Sequence, residues 1–405
     1  MKTKKKRSRS KRPKQEYLSF LPIAADARAA LYYGFLPIRN LSVSKDDGIR
    51  AAGLKESWTR NPAGLPWLFS HDFAEERAAL FRHFAEKNLL AEPQPVMLVH
   101  ETAIVKERGK TTVNLEVMGT KKSIAEALII QATVSMLRDN GYENLLIEIN
   151  TIGDKESSAK FSRELANYYK KNLGAMTAHC RQSFKKDPFY TLSCRECDPT
   201  GKLAEHAPTS VSCLSDASRA HFAEVLEYIE TLGIPYRINN ALVPDRKYCS
   251  GTVFEIKEVL PDGAAGPILA VGFRHDDLSQ KIGHKKENPA AGIKIFLKKK
   301  AAAKKIGKLP KPVAFYIQLG DEAKHKSLDV IEKLKGEKIY VHHMLGRDKF
   351  GSQFSLAEKS GVPYVIIMGK KEFLENSVMV RENATRTQVT IPVTELANYI
   401  KKLGK

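Results

Sequence analysis

Apolar residues recur at helical spacing along "DFAEERAALFRHFAEKNLL", at Phe73, Leu80, Phe81, Phe84 and Leu89, and predict an amphipathic helix. Before it, "AALYYGFLPIRNLSVS" predicts a short helix running into a strand. After it, "QPVMLVHETAIV" and "TTVNLEVMG" predict two strands joined by a basic turn, Lys106 to Lys110. A helix is predicted from Ser123 to Arg138, with Asn140-Gly141 as its stop. "NLLIEINTIGD" then reads as a buried strand with Gly153-Asp154 as its turn. The charged, cysteine-bearing stretch that follows, about 157–214, predicts a helical insertion. Ser215 opens "SDASRAHFAEVLEYIETLG", a helix that Gly233 ends.

The polar stretch "NNALVPDRKYCS" feeds the plain strand "GTVFEI", and "GPILAVGFRHDDL" and "ENPAAGIKIFLKKK" follow. "KKKAAAKKIGKLPKP" is basic and low in complexity, and reads as a linker. Beyond it strands and helices alternate: "VAFYIQL", "EAKHKSLDVIEKL", "KIYVHHM", "GSQFSLAEKSG", "YVIIMG". That alternation predicts a small α/β domain. His342 and His343 are neighbours on a strand, so they point to opposite faces and are expected to be surface histidines rather than metal ligands.

At 405 residues the chain is too long for one comfortable core, which suggests two or three domains. Charge changes the picture more. The formal net charge is +20, and such a surplus favours an anionic partner such as nucleic acid, the bland alternative being a generally basic proteome. "MKTKKKRSRSKRPKQ" carries nine Lys or Arg, Lys4, Lys5 and Arg7 among them, with no acid before Glu16. It reads as a disordered basic arm, either an RNA tether or a solubilising tail, without the apolar segment of a secretory signal. No run reaches the roughly 18 apolar residues a membrane helix needs, so a soluble chain is expected.

Five cysteines in a long chain point to a reducing compartment. Cys180, Cys194, Cys197 and Cys213 are the candidate zinc ligands, at irregular outer spacings; buried or free thiols are the alternative. No phosphate-binding loop, dinucleotide fingerprint, H-E-x-x-H or G-x-S-x-G occurs.

Longer stretches carry a resemblance. "LLIEINTIGDKESSAKFSRELANYY", "HCRQSFKKDPFYTLSC", "SRAHFAEVLEYIETLGIPYRINNALV" and "GTVFE" look like consecutive pieces of the histidyl-tRNA synthetase family. "KIYVHHMLGRDKFGSQFSLAEKSGVPYVIIMG" and "TQVTIPVTELANYIKK" resemble that family's anticodon-binding domain. The likeness runs in order from about Val96 to the C-terminus. It implies an α+β fold: a class II synthetase-like antiparallel sheet with flanking helices, plus a C-terminal α/β anticodon-binding-like domain. The expected divisions are an arm at 1–16, a core at 17–297, a basic linker at 298–312 and the C-terminal domain at 313–405. The resemblance further implies a cytoplasmic homodimer that uses ATP and magnesium to activate histidine and charge tRNA.

In such enzymes arginine forks grip phosphates, and here the corresponding positions depart from the pattern. The first motif's proline falls at Leu41. The family's Arg-Pro-Glu-Gly-Thr becomes "FAEER", with Glu75 keeping its acid. The second motif's arginine falls on Lys106. The glutamine and glutamate that help hold the histidine amino group map to Thr112 and Glu116. Of Gly-x-Glu-Arg in the third motif, Phe296 replaces the glycine, Lys298 the glutamate and Lys299 the arginine. "VGFRHDDL" keeps Arg274 and Asp276, with Phe273, His275 and Asp277 changed. In the histidine-reading loop the arginine becomes Pro244, the aspartate Lys247 and the second tyrosine Cys249, while Tyr248 and Gly251 survive.

Losing one charge-stabilising group costs about 10²- to 10³-fold in rate, so these changes together imply impaired or lost adenylation. The expected protein binds tRNA or another RNA, with Arg347, Lys349 and Gln353 as C-terminal contacts beside the arm. Two alternatives follow from the same resemblance. One is an active ligase using Lys106 and Lys299; the other is a regulatory subunit, whose relatives generally lack the C-terminal domain.

Overall fold

The computed structural model describes residues 23–38, 41–52, 54, 71–103, 110–186, 188–193, 202–243, 249–298, 305–306 and 311–403. The N-terminal part runs β1 (Ile23–Ala24), α1 (Arg28–Tyr32), β2 (Leu36–Pro37), α2 (Lys45–Ala52) and α3 (His71–Glu86). It continues through β3 (Val96–Ala103), β4 (Lys110–Met118), α4 (Ile124–Asp139) and β5 (Leu145–Thr151). The insertion holds α5 (Lys155–Lys171), α6 (Ala178–Lys186), α7 (Pro188–Ser193) and α8 (Lys202–Glu205). Then come α9 (Asp216–Thr231), β6 (Tyr236–Ile238), β7 (Thr252–Val259), β8 (Ala265–Arg274), α10 (Leu278–Lys281) and β9 (Ala290–Lys298).

All of these strands but β1 form one eight-stranded sheet in the order β2-β3-β4-β9-β8-β7-β5-β6. Its interior is antiparallel, and only the outermost pairs, β2 with β3 and β5 with β6, run parallel. One face carries Val113, Leu115, Val117, Ile147, Ile149, Ile256 and Ile295, all buried in the main apolar cluster. Helix α4 packs on this face. Its run "AEALIIQATVSML" carries apolar residues on every side, interrupted by Glu126 and Gln131, and it is buried from Ile124 to Leu137, as a core helix must be. The predicted helix starts survive in detail: Ser215 caps α9 by accepting from the Ser218 N–H at 3.2 Å. Asp154, expected only as a turn residue, caps α5 through the Ser157 N–H at 2.8 Å.

Two residues of the expected linker are a strand instead. β10 (Lys305–Ile306) pairs with β1, Ile306 opposite Ile23, and binds the two ends of the core together. The C-terminal unit follows with β11 (Ala314–Gln318), α11 (Asp321–Gly336), β12 (Val341–His343), α12 (Phe350–Ser360) and β13 (Tyr364–Met368). It closes with α13 (Lys370–Leu374), β14 (Ser377–Glu382), β15 (Gln388–Pro392) and α14 (Leu396–Leu403). This sheet runs β12-β11-β13-β14-β15, parallel through its first three strands and antiparallel after.

The two sheets share one apolar cluster, in which Leu128 and Val134 of α4 join Tyr316, Leu328 and Ile331 of the C-terminal unit. Polar contacts line the seam. Gln131 Nε2 donates to Glu332 Oε2 at 2.8 Å and to Tyr33 Oη at 3.2 Å, and Arg347 Nε donates to the Gln94 carbonyl at 2.9 Å. This seam corrects the expectation of two surface histidines. His343 is 6% exposed, with its ring against the turn at Gly34, because the face of β12 that it occupies is covered by the core. Among the described residues no helix is long and apolar enough to cross a membrane.

Candidate functional site

The face of the large sheet opposite α4 is polar at its centre. Strand register aligns His100, Asn114, Lys294, Val271, Glu255 and Glu148 in one row across six strands. The next row is Leu98, Glu116, Gly292, Phe273, Val253 and Asn150. Alternation dictates this: in "TTVNLEVMG" the apolar Val113, Leu115 and Val117 turn to α4, so Thr112, Asn114 and Glu116 turn the other way.

Helix α3 lies over these rows. Its apolar stripe is Leu80, Phe81 and Phe84, and Arg77 sits on the same stripe at the position one turn earlier. Arg77 therefore enters the core. Its Nη1 lies 2.6 Å from Glu116 Oε1, with the two side chains 1% and 0% exposed. The guanidinium stands 5.7 Å from the Phe273 ring centroid. On the other carboxylate oxygen, His275 Nε2 lies 3.2 Å from Glu116 Oε2. One residue before Arg77, Glu76 pairs with Lys294 at 2.5 Å. His100 is buried beside Arg77 and Lys294; burial first and these cations second push it down to about 3.

Glu116 needs a glycine across the strand pair. A Cβ on Gly292 would stand 2.3 Å from the carboxylate oxygens, so only the bare backbone leaves room.

A second buried pair closes the end of β8. Arg274 Nε donates to Glu126 Oε1 at 2.7 Å, and one Nη2 hydrogen goes to Glu126 Oε2. The remaining donors reach the Lys122 carbonyl at 3.0 Å, the Thr120 carbonyl at 3.2 Å and Asp276 Oδ1 at 2.9 Å. A guanidinium has five N–H groups, and all five are used within the chain. His221 Nε2 adds a contact to Glu126 Oε1 at 2.9 Å. Burial raises the Glu126 carboxyl, but Arg274 and His221 together outweigh it and hold it at about 2. Gly251, at φ +69°, sits against this arginine; a Cβ there would meet Arg274 Cδ at 3.3 Å.

The expected substrate residues therefore separate. Glu116 is in the polar face, paired from inside. Arg274 is structural in its bonding and has no N–H left to offer. Glu75 is half-buried and turned toward α2, where its carboxylate lies near Gly48, while its neighbours Glu76 and Arg77 face the sheet. Phe296 is partly buried against the second apolar cluster, opposite Thr112. Lys106, Lys299, Tyr248, Lys4, Lys5, Arg7, Cys194 and Cys197 lie outside the described residues. Of the zinc candidates that are described, Cys213 is a buried free thiol and Cys180 is disulfide-bonded, both in the insertion's own apolar cluster.

Among the described residues no group of three or more His, Cys, Asp or Glu is gathered to hold a metal ion. Each acid of this face, Glu76, Glu116, Glu148 and Glu255, already holds at least one cation of the chain, which does not suit a magnesium site, and no step is assigned to that ion.

At the C-terminal end, Lys349 is exposed and Arg347 half-buried. Gln353 is fully buried: its Nε2 donates to the Gln318 carbonyl at 2.8 Å and its Oε1 accepts from the Gln318 N–H at 3.2 Å. Its amide stitches α12 to β11. Arg77, Glu76, His100 and Lys294 were not anticipated as site residues. The available signal was Arg77 itself, a cation on the apolar stripe of α3, which a buried core can accept only beside an anion.

Comparison with known proteins adds two kinds of likeness. The pattern of a family described as "Anticodon binding domain" matches residues 314–403. The histidine–tRNA ligase of Bacillus velezensis is 28% identical over 341 residues, covering 81% of this chain and 80% of that protein. The histidine–tRNA ligase of Bacillus subtilis is 27% identical over the same length and shares. The crystal structure of apo histidyl-tRNA synthetase from S. aureus has 21% identity and a TM-score of 0.49, covering 92% of this chain and 93% of that one.

Proposed function

Because the chain belongs to the histidyl-tRNA synthetase family, we propose that it binds tRNA, or another RNA, and has lost histidine adenylation. One observation carries the second half of this reading. Glu116 stands where the family's acid helps hold the amino group of histidine, and here Arg77 takes that carboxylate at 2.6 Å, with His275 on its other oxygen. Separating such a buried pair costs about 3–5 kcal/mol. A ligand of millimolar affinity has only about 4 kcal/mol in all. An incoming amino group would spend its whole binding energy on displacing Arg77.

The RNA half rests on the anticodon-binding match and the net charge of +20. On this reading the arm at 1–16, with Lys4, Lys5 and Arg7, and the linker at 298–312 supply nonspecific attraction to phosphates. The core spans 17–297, and the end at 313–405 reads the RNA through Lys349 and Arg347. The protein works in the cytoplasm, where tRNA is found, as a homodimer.

Two measurements test the proposal. Fluorescence anisotropy with a labelled tRNA should show binding at low salt that weakens steeply as salt rises, and no binding at low salt would refute the RNA half. Histidine-dependent pyrophosphate exchange should give no signal even at high enzyme concentration. A signal would return the chain to the active ligases, with Lys106 and Lys299 as the phosphate grips.

A further inference from the structure

The outer face of the C-terminal sheet carries a short ladder of rings. Phe350 and Phe354 are one turn apart on α12, so they share a side of the helix, and their rings stack with centroids 5.4 Å apart and planes at 29°. Below them the Arg381 guanidinium lies 5.2 Å from the Phe354 centroid. The top of the ladder is open: Phe350 is 43% exposed, although it is one of the largest apolar side chains.

The cation at the bottom is uncommitted. Arg381 Nε is buried without a hydrogen-bond partner, and no carboxylate among the described residues pairs with this arginine. The acids nearest in sequence to the ladder are occupied elsewhere. Asp348 holds Lys122 and, at 2.8 Å, Lys324; Glu382 accepts from the Thr385 hydroxyl at 2.6 Å. Lys349, next to Phe350, is exposed. Opposite Arg381 and Met379, the β15 residues Gln388 and Thr390 are exposed, which leaves amide and hydroxyl groups beside the rings.

We propose that Phe350, backed by Phe354 and Arg381, is a stacking platform for an unpaired RNA base. Stacking on an aromatic face is how single-stranded bases are held, and nearby cations take the phosphates. A membrane surface or an apolar peptide would also accept Phe350, but neither uses an unpaired guanidinium beneath a pair of rings and exposed amides beside them. The inference rests on the RNA-binding reading and names the residue that meets a base.

The test is anisotropy on the full chain with a labelled tRNA transcript, in which an abasic position is moved through each unpaired loop in turn. Stacking is worth about 1–3 kcal/mol per base, or roughly 5- to 150-fold in affinity. Phe350→Ala should therefore weaken binding within that range without changing the salt slope, and Phe350→Trp should restore it. One abasic position should weaken the wild type by a similar factor and leave Phe350→Ala unaffected. Lys349→Ala, by contrast, should lower the salt slope by about 0.7. If the chain binds the transcript but Phe350→Ala binds equally well, or no abasic position couples to it, the platform is overturned while the RNA reading stands. If the full chain binds no tRNA at low salt, both fall.

Discussion

Tyr228 lies flat on His325, with ring centroids 3.9 Å apart and planes at 20°, and so joins α9 on the core to α11 of the C-terminal unit. Both sheets send side chains into the same apolar cluster behind that contact. Calorimetry should accordingly give one cooperative unfolding transition. Tyr228→Ala, which removes a fully buried ring, should cost about 3–5 kcal/mol. Two well-separated transitions in the wild type would contradict the shared core.

Arg77→Ala leaves Glu116 buried without its cation and should cost about 3–5 kcal/mol, read from the urea midpoint. Replacing both partners by apolar residues, Arg77→Met with Glu116→Leu, should recover most of that loss, because neither charge then needs the other. A single mutant as stable as the wild type would show that the pair is not dry.

Arg274→Lys keeps the charge but replaces five fixed donors by three on a flexible stem. The Thr120 and Lys122 carbonyls and one Glu126 oxygen cannot all be reached. Stability should fall by about 2–4 kcal/mol, as buried bonds to a charged group are lost. Equal midpoints for the two proteins would sink this account.

Gly292→Ala puts a methyl group 2.3 Å from a carboxylate that Arg77 and His275 hold in place, so Glu116 cannot swing aside cheaply. Overpacking of this kind costs about 1–3 kcal/mol. Gly141→Ala has open space around its Cβ but a φ of +93°, so its loss would come from backbone strain alone, about 1 kcal/mol. Denaturant midpoints for the two variants should rank Gly292→Ala as the worse.

Acid should destabilise the fold in two stages. Unfolded histidine takes up a proton near 6.5, whereas burial keeps folded His100 and His343 neutral down to about 3. The unfolded state therefore binds more protons in this window, and stability falls as pH drops from 6.5, by at most ~1.4 kcal/mol per pH unit for each histidine. Glu126 adds a second loss as pH falls from 4.5 to about 2, where its folded form finally protonates. His343→Phe should flatten the first stage; an unchanged slope in urea midpoints between pH 7 and about 5 would contradict it.

Much of the architecture was legible in local patterns. Ser215 and Gly233 bound a helix because capping and left-handed turns act over three or four residues. The alternation in "TTVNLEVMG" set which side chains of β4 face α4, and the apolar run of α4 announced a core helix. The family likeness came from the same stretches. What could not be read was partnership. Gln353 was expected to contact RNA, yet its amide is taken up by β11, and His343 was expected at the surface, yet the core covers β12.

The sequence alone determined the elements, the basic surplus and the replaced motif residues, since each depends on residues near one another in the chain. Tertiary structure decided what those replacements do. Arg77 and Glu116 lie on separate elements, α3 and β4, and only the packing of that helix across the sheet brings their charges to 2.6 Å. No local rule carries that information, because a buried ion pair is set by where two elements cross and by the dry space between them.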